Sequence, residues 1–139
     1  MPSRTNDPES GDRLFLDANV LFSAAYRSSA GVARLWKIDV RLLSSIYAAH
    51  EARRNRQTSE QQNRLEELLR DVTLVSDVLL AEDLASSIDL PDKDLPILAG
   101  ALAADATHLI TGDRRHFGPY FGTSLEGVLV LSPARYLEQ

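Results

Sequence analysis

Four carboxylates occupy positions at which a folded chain could gather them around a metal ion. Asp17 and Asp113 each follow a short, mostly apolar run that predicts a buried strand, Glu51 lies inside a helical pattern, and Asp94 opens another. Parallel strands and their covering helices can bring such residues to one sheet edge. Two unit charges about 4 Å apart repel by roughly 4 kcal/mol at an effective dielectric constant of about 20, so the cluster requires a cation. Oxygen ligands favour Mg²⁺ or Mn²⁺, and an ion held this way can assist phosphodiester hydrolysis.

Each carboxylate also has an ordinary structural explanation. Asp17 could cap the helix after the first strand, and Asp94 could cap a helix that has Pro96 in its first turn. Asp113 follows a glycine and could form a tight turn, whereas Glu51 could lie on a solvated helix face. We favour the ligand role because the acids occur together at strand ends, at a helix start and on a helix.

The rest of the chain alternates between strand and helix patterns. This alternation indicates a three-layer α/β/α sandwich built on a mostly parallel central sheet. The predicted strands are residues 13–16, 40–43, 72–75, 109–111 and 128–131. The predicted helices are residues 19–26, 30–38, 79–88, 94–104 and 133–137, with another that opens at residue 59, and Ser28 and Ser29 separate the first two. Ser44 or Ser45 is predicted to cap a further helix that runs to about residue 55.

Composition fits one soluble domain with a substantial core. The chain has 139 residues, of which 44% are hydrophobic and 25% charged. We expect residues 1–12 to be a flexible polar tail and residues 13–139 to form the domain. The absence of cysteine excludes disulfides and thiolate sites, and favours a cytoplasmic location. The apolar stretch at residues 95–104 is too short to cross a bilayer, so we expect no membrane association.

The net charge of −5 argues against a protein that coats nucleic acid. All but two of the fifteen basic residues are arginine, which suits phosphate contact, although genomic base composition would explain the bias equally well. Arg53, Arg54, Arg114 and Arg115 lie nearest the acids in sequence and are the candidate phosphate contacts.

The three histidines share no spacing typical of metal ligands. We expect His50, His108 and His116 to be structural or surface residues, although His116 stands beside two arginines and could approach phosphate. Trp36 and Tyr47 lie in helical patterns and are expected in the core or an interface.

Three stretches resemble motifs of the PIN-domain ribonucleases, especially the toxins of VapBC-type toxin–antitoxin pairs. Residues 16–21, Leu-Asp-Ala-Asn-Val-Leu, are similar to the opening strand motif, and residues 44–55 are similar to the second motif, where a helical Glu supplies an acid. Residues 92–113 contain the Asp-x-x-Ile/Phe-Leu-x-x-Ala helix and the Thr-x-Asp strand end. The resemblance implies a PIN-like fold, dependence on a divalent metal and endoribonuclease activity.

The resemblance also implies roles for individual residues. Asp17, Asp94 and Asp113 would hold Mg²⁺ or Mn²⁺, and Glu51 would complete the site. Register with the following Ile-Leu pair selects Asp94 as the third acid and leaves Asp92 as an additional ligand or outer acid.

Two polar residues could support these ligands. Thr111 could orient them by hydrogen bonding, and Asn19 could either do the same or cap a helix. The implied partners are an RNA substrate, a small antitoxin protein and a second copy of the chain in a homodimer.

Two alternatives remain at this level. A PIN-like fold could serve as an RNA-binding or protein-binding module without catalysis. A metal-dependent phosphatase of the haloacid-dehalogenase type also starts with a strand followed by Asp, but Asp17 lacks a second Asp two residues later. Lys37 and Lys93 are the only lysines, and we expect neither beside Asp17. A receiver-like signalling domain meets the same objection.

Overall fold

A computed structural model of the protein describes residues 11–26, 31–55 and 57–138. The strands are β1 (Arg13–Leu16), β2 (Arg41–Ser45), β3 (Val72–Val75), β4 (His108–Ile110), β5 (Ser124–Leu125) and β6 (Val128–Leu131). The α-helices are α1 (Ala18–Tyr26), α2 (Ile46–Arg54), α3 (Ser59–Leu69), α4 (Glu82–Ser87), α5 (Leu95–Ala103) and α6 (Pro133–Leu137). Short 3₁₀ segments occupy Gly31–Lys37, Asp92–Asp94 and Gly118–Tyr120.

The strands form one sheet in the order β3-β2-β1-β4-β6-β5, parallel except for β5. From β1 the chain fills one side of the sheet with β2 and β3, and then fills the other side with β4 and β6. The direction of winding therefore reverses between β1 and β4, where Leu16 lies opposite Ile110. In parallel sheets the crevice outside the carboxyl ends of such a strand pair is the usual ligand site.

Helices cover both faces of this sheet. Connections between parallel strands are right-handed. The connection β1-α1-β2 and the connection through α5 from β3 to β4 run in opposite directions along the sheet. Helices α1 and α5 therefore lie on opposite faces. β1 is consequently buried on both sides, and the side chains of Leu14, Phe15 and Leu16 are fully buried. The predicted α/β/α sandwich is confirmed.

Local hydrogen bonds set the start of the helices near the site. Ser45 accepts a hydrogen bond from the backbone of Ala48 at 3.0 Å and caps α2, as the sequence predicted for Ser44 or Ser45. Ser44 instead donates to the carbonyl of Leu16 at 2.7 Å, which ties β2 to the end of β1. Helix α2 therefore begins directly at the carboxyl edge of the sheet.

Several predicted elements differ from the structure. Residues 31–37 form a 3₁₀ segment rather than an α-helix, and α4 is shorter than the predicted 79–88. Leu79 is 96% exposed and Ala81 provides no side-chain cap, so nothing stabilises an earlier start of α4. Strand β2 begins at residue 41 instead of 40 and extends to residue 45, and β5 was not predicted.

Asp12, near the start of the described residues, is bound to the rest of the domain. Asp12 accepts a hydrogen bond from the Tyr136 hydroxyl at 2.6 Å, and its carbonyl accepts another from Arg41 N at 3.0 Å. Residues 1–10 of the predicted tail, and the predicted separator at Ser28 and Ser29, lie outside the described residues. Within the described ranges, every helix is too short or too polar to cross a membrane.

Candidate metal centre

An open pocket of about 190 Å³ lies beyond the carboxyl ends of β1 and β4. All four predicted carboxylates border it, although they come from four different parts of the chain. The lining residues are Asp17, Ala18, Asn19, Tyr47, Glu51, Asn55, Lys93, Asp94, Ile97 and Asp113.

Asp17 is buried at the point where β1 passes into α1. Its backbone NH donates to the carbonyl of Ile110 at 3.0 Å, which holds it against β4. Oδ1 accepts a hydrogen bond from Ala18 N at 2.6 Å, and Oδ2 accepts one from the Thr111 hydroxyl at 2.8 Å. Burial raises the pKa of Asp17 from 3.8 to about 6, and the negative charges of Asp94 and Asp113 add to the rise. The folded chain therefore disfavours the charged form of Asp17.

Asn19 joins the ends of the two central strands. Its Oδ1 accepts a hydrogen bond from Gly112 N at 2.9 Å. Its Nδ2 lies 3.4 Å from Asp17 Oδ2 and 3.5 Å from Thr111 Oγ1, at the outer limit of a hydrogen bond. Asn19 and Thr111 therefore both contact the carboxylate that the sequence predicted them to orient.

Asp94 enters the pocket from the start of α5. The residue is 8% exposed, and its side chain makes no capping hydrogen bond to that helix, although the sequence left that role open. Its Oδ2 is buried without a hydrogen bond from any described residue. Burial and the charge of Asp113 raise the pKa of Asp94, against a lowering by His116. Asp92, the other acid of the pair, is exposed and does not line the pocket.

Asp113 forms a turn and also faces the pocket. Its Oδ1 accepts hydrogen bonds from the backbone NH groups of Arg115 at 3.1 Å and His116 at 3.0 Å. Its own NH donates to Thr111 Oγ1 at 3.1 Å. These bonds fix the carboxyl group and leave Oδ2 directed to the His116 ring, 3.0 Å from Nδ1. The structural role and the ligand role are therefore compatible.

His116 joins this cluster, although the spacing of the histidines indicated no metal-binding role for it. Its Nδ1 lies 2.8 Å from Asp94 Oδ2 and 3.0 Å from Asp113 Oδ2, yet neither contact has the angles of a hydrogen bond. One ligand atom from each of the three residues lies within 4.8 Å of the others, so the cluster could hold a metal ion. The missed signal is the turn at Asp113, which returns the residue three positions later to the same carboxylate.

Glu51 and the four candidate arginines differ in whether they already have an ion-pair partner. Glu51 borders the pocket from α2, but its carboxylate is paired with Arg54 at 2.8 Å. Arg53 makes two hydrogen bonds to Glu66, at 2.7 and 3.0 Å, on the side of α3. The exposed Arg114 and Arg115 have no acidic partner among the described residues. They follow Asp113 directly and are therefore the arginines left available for a ligand.

Two further pocket residues were not predicted there. The Tyr47 hydroxyl donates to the Lys93 carbonyl at 2.9 Å and so connects α2 to the segment before α5. Burial, followed by the charge of Glu51, raises the pKa of Tyr47. Lys93 lines the same pocket as Asp17, which corrects our expectation that no lysine would lie near that carboxylate. The sequence offered two arguments against a phosphatase, the lack of a nearby lysine and the lack of a second Asp two residues after Asp17. Only the second argument remains.

Comparisons with known proteins identify the fold. The structure is similar to a chain of "VapBC2 from Rickettsia felis bound to a DNA fragment from their promoter", with a TM-score of 0.60 and 12% sequence identity over 86% of this chain and 98% of that one. It is also similar to a chain of a "toxin-antitoxin complex from Klebsiella pneumoniae", with a TM-score of 0.58 and 19% identity over 84% of this chain and 95% of that one. No protein-family model and no curated protein matches the sequence. The chain therefore has the expected PIN-like fold, and the identities are too low to carry activity with it.

Proposed function

We propose that the chain is a metal-dependent endoribonuclease that acts as the toxin of a toxin–antitoxin pair. The observation that carries the proposal is the convergence of Asp17, Asp94 and Asp113 in one pocket at the switch point of the sheet. Burial raises the pKa of Asp17 and Asp94, and each is further raised by neighbouring carboxylates. A bound cation would offset that repulsion. Helix capping alone would not explain why these carboxylates meet in one pocket.

The donor set fits Mg²⁺ or Mn²⁺. Asp94 Oδ2 is buried without a hydrogen-bond donor, and Asp113 accepts its backbone hydrogen bonds through Oδ1 rather than Oδ2. Asp17 uses both oxygens in hydrogen bonds, but a carboxylate oxygen has a second lone pair for an ion or an ion-bound water. A divalent ion held here would lower the pKa of a water for attack on phosphorus and neutralise charge on the phosphate oxygens.

The surrounding residues would position these ligands and the substrate. Thr111 and Asn19 fix the orientation of Asp17, and the turn after Asp113 fixes the second carboxylate. Glu51 completes the acidic wall of the pocket, with Arg54 limiting its movement. Arg114 and Arg115 lie on the exposed side of the turn and would contact backbone phosphates, with little selectivity among bases.

The two similar structures support the proposed partner. One of these structures is of VapBC2 and the other is of a toxin–antitoxin complex, so we infer a cognate antitoxin protein for this chain. The proposal also includes homodimer formation and a cytoplasmic location, which these structures do not test. A neighbouring reading frame that encodes a small protein should bind this chain and inhibit its activity. Growth arrest on expression of this chain alone, relieved by co-expression of the neighbour, would test the toxin role.

The decisive experiment for the activity is cleavage of a defined RNA panel with Mg²⁺, with Mn²⁺ and with EDTA. We expect cleavage only with metal, and loss of at least about 10²-fold in the Asp113→Asn variant. The Asp71→Asn variant removes an exposed carboxylate away from the pocket and should cleave normally. Cleavage that persists in EDTA would contradict the proposal.

The same preparations separate the alternatives. Hydrolysis of an aryl phosphate without RNA cleavage would assign the pocket to a phosphatase, which the presence of Lys93 keeps open. RNA binding without cleavage under every metal condition would instead assign the chain to a binding module.

A further inference from the structure

The His116 ring lies within ion-pairing distance of two carboxylates, but it is not aligned for a hydrogen bond with either. An imidazolium NH that bridges two carboxylates should point at one or both oxygens, because hydrogen bonds weaken steeply when bent. Nδ1 of His116 lies close to Oδ2 of Asp94 and Oδ2 of Asp113 but makes an aligned hydrogen bond with neither. Two of these atoms, Asp94 Oδ2 and His116 Nδ1, are buried and have no hydrogen-bond partner among the described residues.

The two distances from His116 Nδ1 match those between adjacent ligands on one metal ion. Two ligands at right angles, each about 2.1 Å from an ion, are about 3 Å apart. The observed separations from Nδ1 are 2.8 Å to Asp94 and 3.0 Å to Asp113. A neutral imidazole presents a lone pair to an ion without needing a hydrogen bond along the line to either carboxylate.

We propose that Nδ1 of His116 is a direct ligand of the metal centre, beside Oδ2 of Asp94 and Oδ2 of Asp113. This nitrogen shifts the preference of the site from Mg²⁺ toward Mn²⁺ and other first-row transition ions, because imidazole suits those metals better than it suits Mg²⁺. The inference rests on the metal centre of the proposed function and adds a ligand and a selectivity to it.

The turn that follows β4 makes the ligand rigid. Asp113 Oδ1 binds the backbone NH of His116 itself, so the carboxylate and the ring belong to one closed turn. Phe117, the next residue, is fully buried, which anchors the chain directly after the histidine. The ring is thus held at the pocket by its own backbone before any ion binds.

Pulsed electron paramagnetic resonance of Mn²⁺ tests the ligand directly. Mn²⁺ alone is added to the metal-free full chain, and ¹⁴N coupling from a bound imidazole is measured. We expect coupling in the wild type and in His50→Gln, whose histidine is exposed on α2, and no coupling in His116→Gln. Thermal melting of each metal-free variant confirms that it is folded.

Titrations with Mn²⁺ and Mg²⁺ test the selectivity. His116→Gln should weaken Mn²⁺ binding by at least about tenfold and weaken Mg²⁺ binding less. A tenfold loss of affinity is typical when a contact at a metal site is removed. His116→Asp supplies oxygen in place of nitrogen, so it should lose the ¹⁴N signal and bind Mg²⁺ better relative to Mn²⁺ than the wild type does.

The outcomes separate this inference from the proposed function. Mn²⁺ bound without ¹⁴N coupling, or coupling that survives in His116→Gln, overturns the ligand role even if RNA is still cleaved. Failure of Mn²⁺ to bind also overturns it, whereas RNA cleavage is tested in its own assay. Coupling lost in His116→Gln and His116→Asp but kept in His50→Gln, together with the fall in Mn²⁺ preference, supports the inference even if no RNA in the panel is cleaved.

Discussion

At the scale of single residues, Asp17 combines burial with a charge. The residue directly follows β1, and only 6% of it is exposed. Its pKa of about 6 in the folded chain lies above the ordinary value of 3.8. Since one pH unit of displacement corresponds to about 1.4 kcal/mol, ionisation at neutral pH destabilises the metal-free fold by about 3 kcal/mol.

This leads to a prediction for stability against pH. Because the folded pKa of Asp17 is raised, its contribution to stability is complete below pH 3.8 and is lost as pH rises through about 6. In EDTA, the free energy of unfolding of wild type relative to Asp17→Asn should therefore fall by about 2 kcal/mol between pH 4 and pH 7, the remainder of the effect lying below pH 4. Urea denaturation at several pH values measures this difference.

A matched variant controls for simple loss of charge. Asp71→Asn removes an exposed carboxylate, so its stability relative to wild type should change little with pH over this range. Parallel curves for wild type and Asp17→Asn would contradict the prediction. A marked loss of stability in Asp17→Asn at pH 7 would show that accepting hydrogen bonds from Ala18 and Thr111 outweighs the charge.

Asp92 and Asp94 are two residues apart but should differ sharply in activity. Asp94 is buried in the pocket, whereas Asp92 is exposed outside its lining. We expect Asp94→Asn to lower metal-dependent RNA cleavage by at least about 10²-fold and Asp92→Asn to change it little. Rates at saturating Mn²⁺ compare the two variants. A larger loss in Asp92→Asn would mean that the motif register is displaced by two residues.

The pocket residues that the sequence predicted are those whose place beside a strand or helix pattern is informative by itself. Asp17 and Asp113 were identifiable because each ends a strand pattern, and Asp94 because it opens a helix. His116 was missed because its place depends on hydrogen bonds of the turn after Asp113, which a linear spacing does not show. Lys93 was missed for a related reason, since a 3₁₀ segment turns it toward the pocket.

At the scale of elements, α5 reaches the sheet through a glycine. A Cβ built on Gly100 would lie 2.7 Å from Cζ of Phe15, a fully buried ring of β1. No residue larger than glycine fits without displacing the helix or the ring. Because Asp94 directly precedes α5 and Asp17 directly follows β1, this contact also affects how the two carboxylates approach each other.

Gly100→Ala should therefore destabilise the fold although alanine favours helices. We expect a loss of about 1–3 kcal/mol, the usual range for an overpacked core, with weaker Mn²⁺ binding because Asp94 shifts. Gly31→Ala is the control, because a Cβ there meets no described atom within 4 Å. Chemical denaturation compares both variants, and equal stability of Gly100→Ala and wild type would show that Phe15 moves aside freely.

The elements that could be predicted are those with strong local patterns. The bounds of β1, β3, β6 and α6 agree with the sequence because apolar runs, serine or proline mark both ends. Strand β5 was missed because it has two residues and depends on pairing with β6 across a turn. Glu126 and Gly127 both have positive φ in that turn, and only the glycine gave a signal in the sequence.

At the scale of the whole molecule, the acidic charge must be reconciled with an RNA substrate. A net charge of −5 repels polyanions over long distances, so binding depends on a local group of cations near the pocket. The sequence suggested four arginines, but it could not show which of them already have partners. In the fold Arg53 is bound to Glu66 and Arg54 to Glu51, whereas Arg114 and Arg115 have no acidic partner among the described residues.

The final prediction follows from this division of the arginines. Arg114→Ala and Arg115→Ala should each weaken single-stranded RNA binding similarly across sequences and flatten the slope of log affinity against log salt by about 0.7, the value for one phosphate on a single strand. Arg53→Ala removes an arginine already paired with Glu66 and should leave the slope unchanged. Binding is measured with cleavage prevented by EDTA. If Arg53→Ala flattens the slope and neither of the other variants does, the RNA binds on the α3 side of the pocket. Arg114 and Arg115 then do not contact its phosphates.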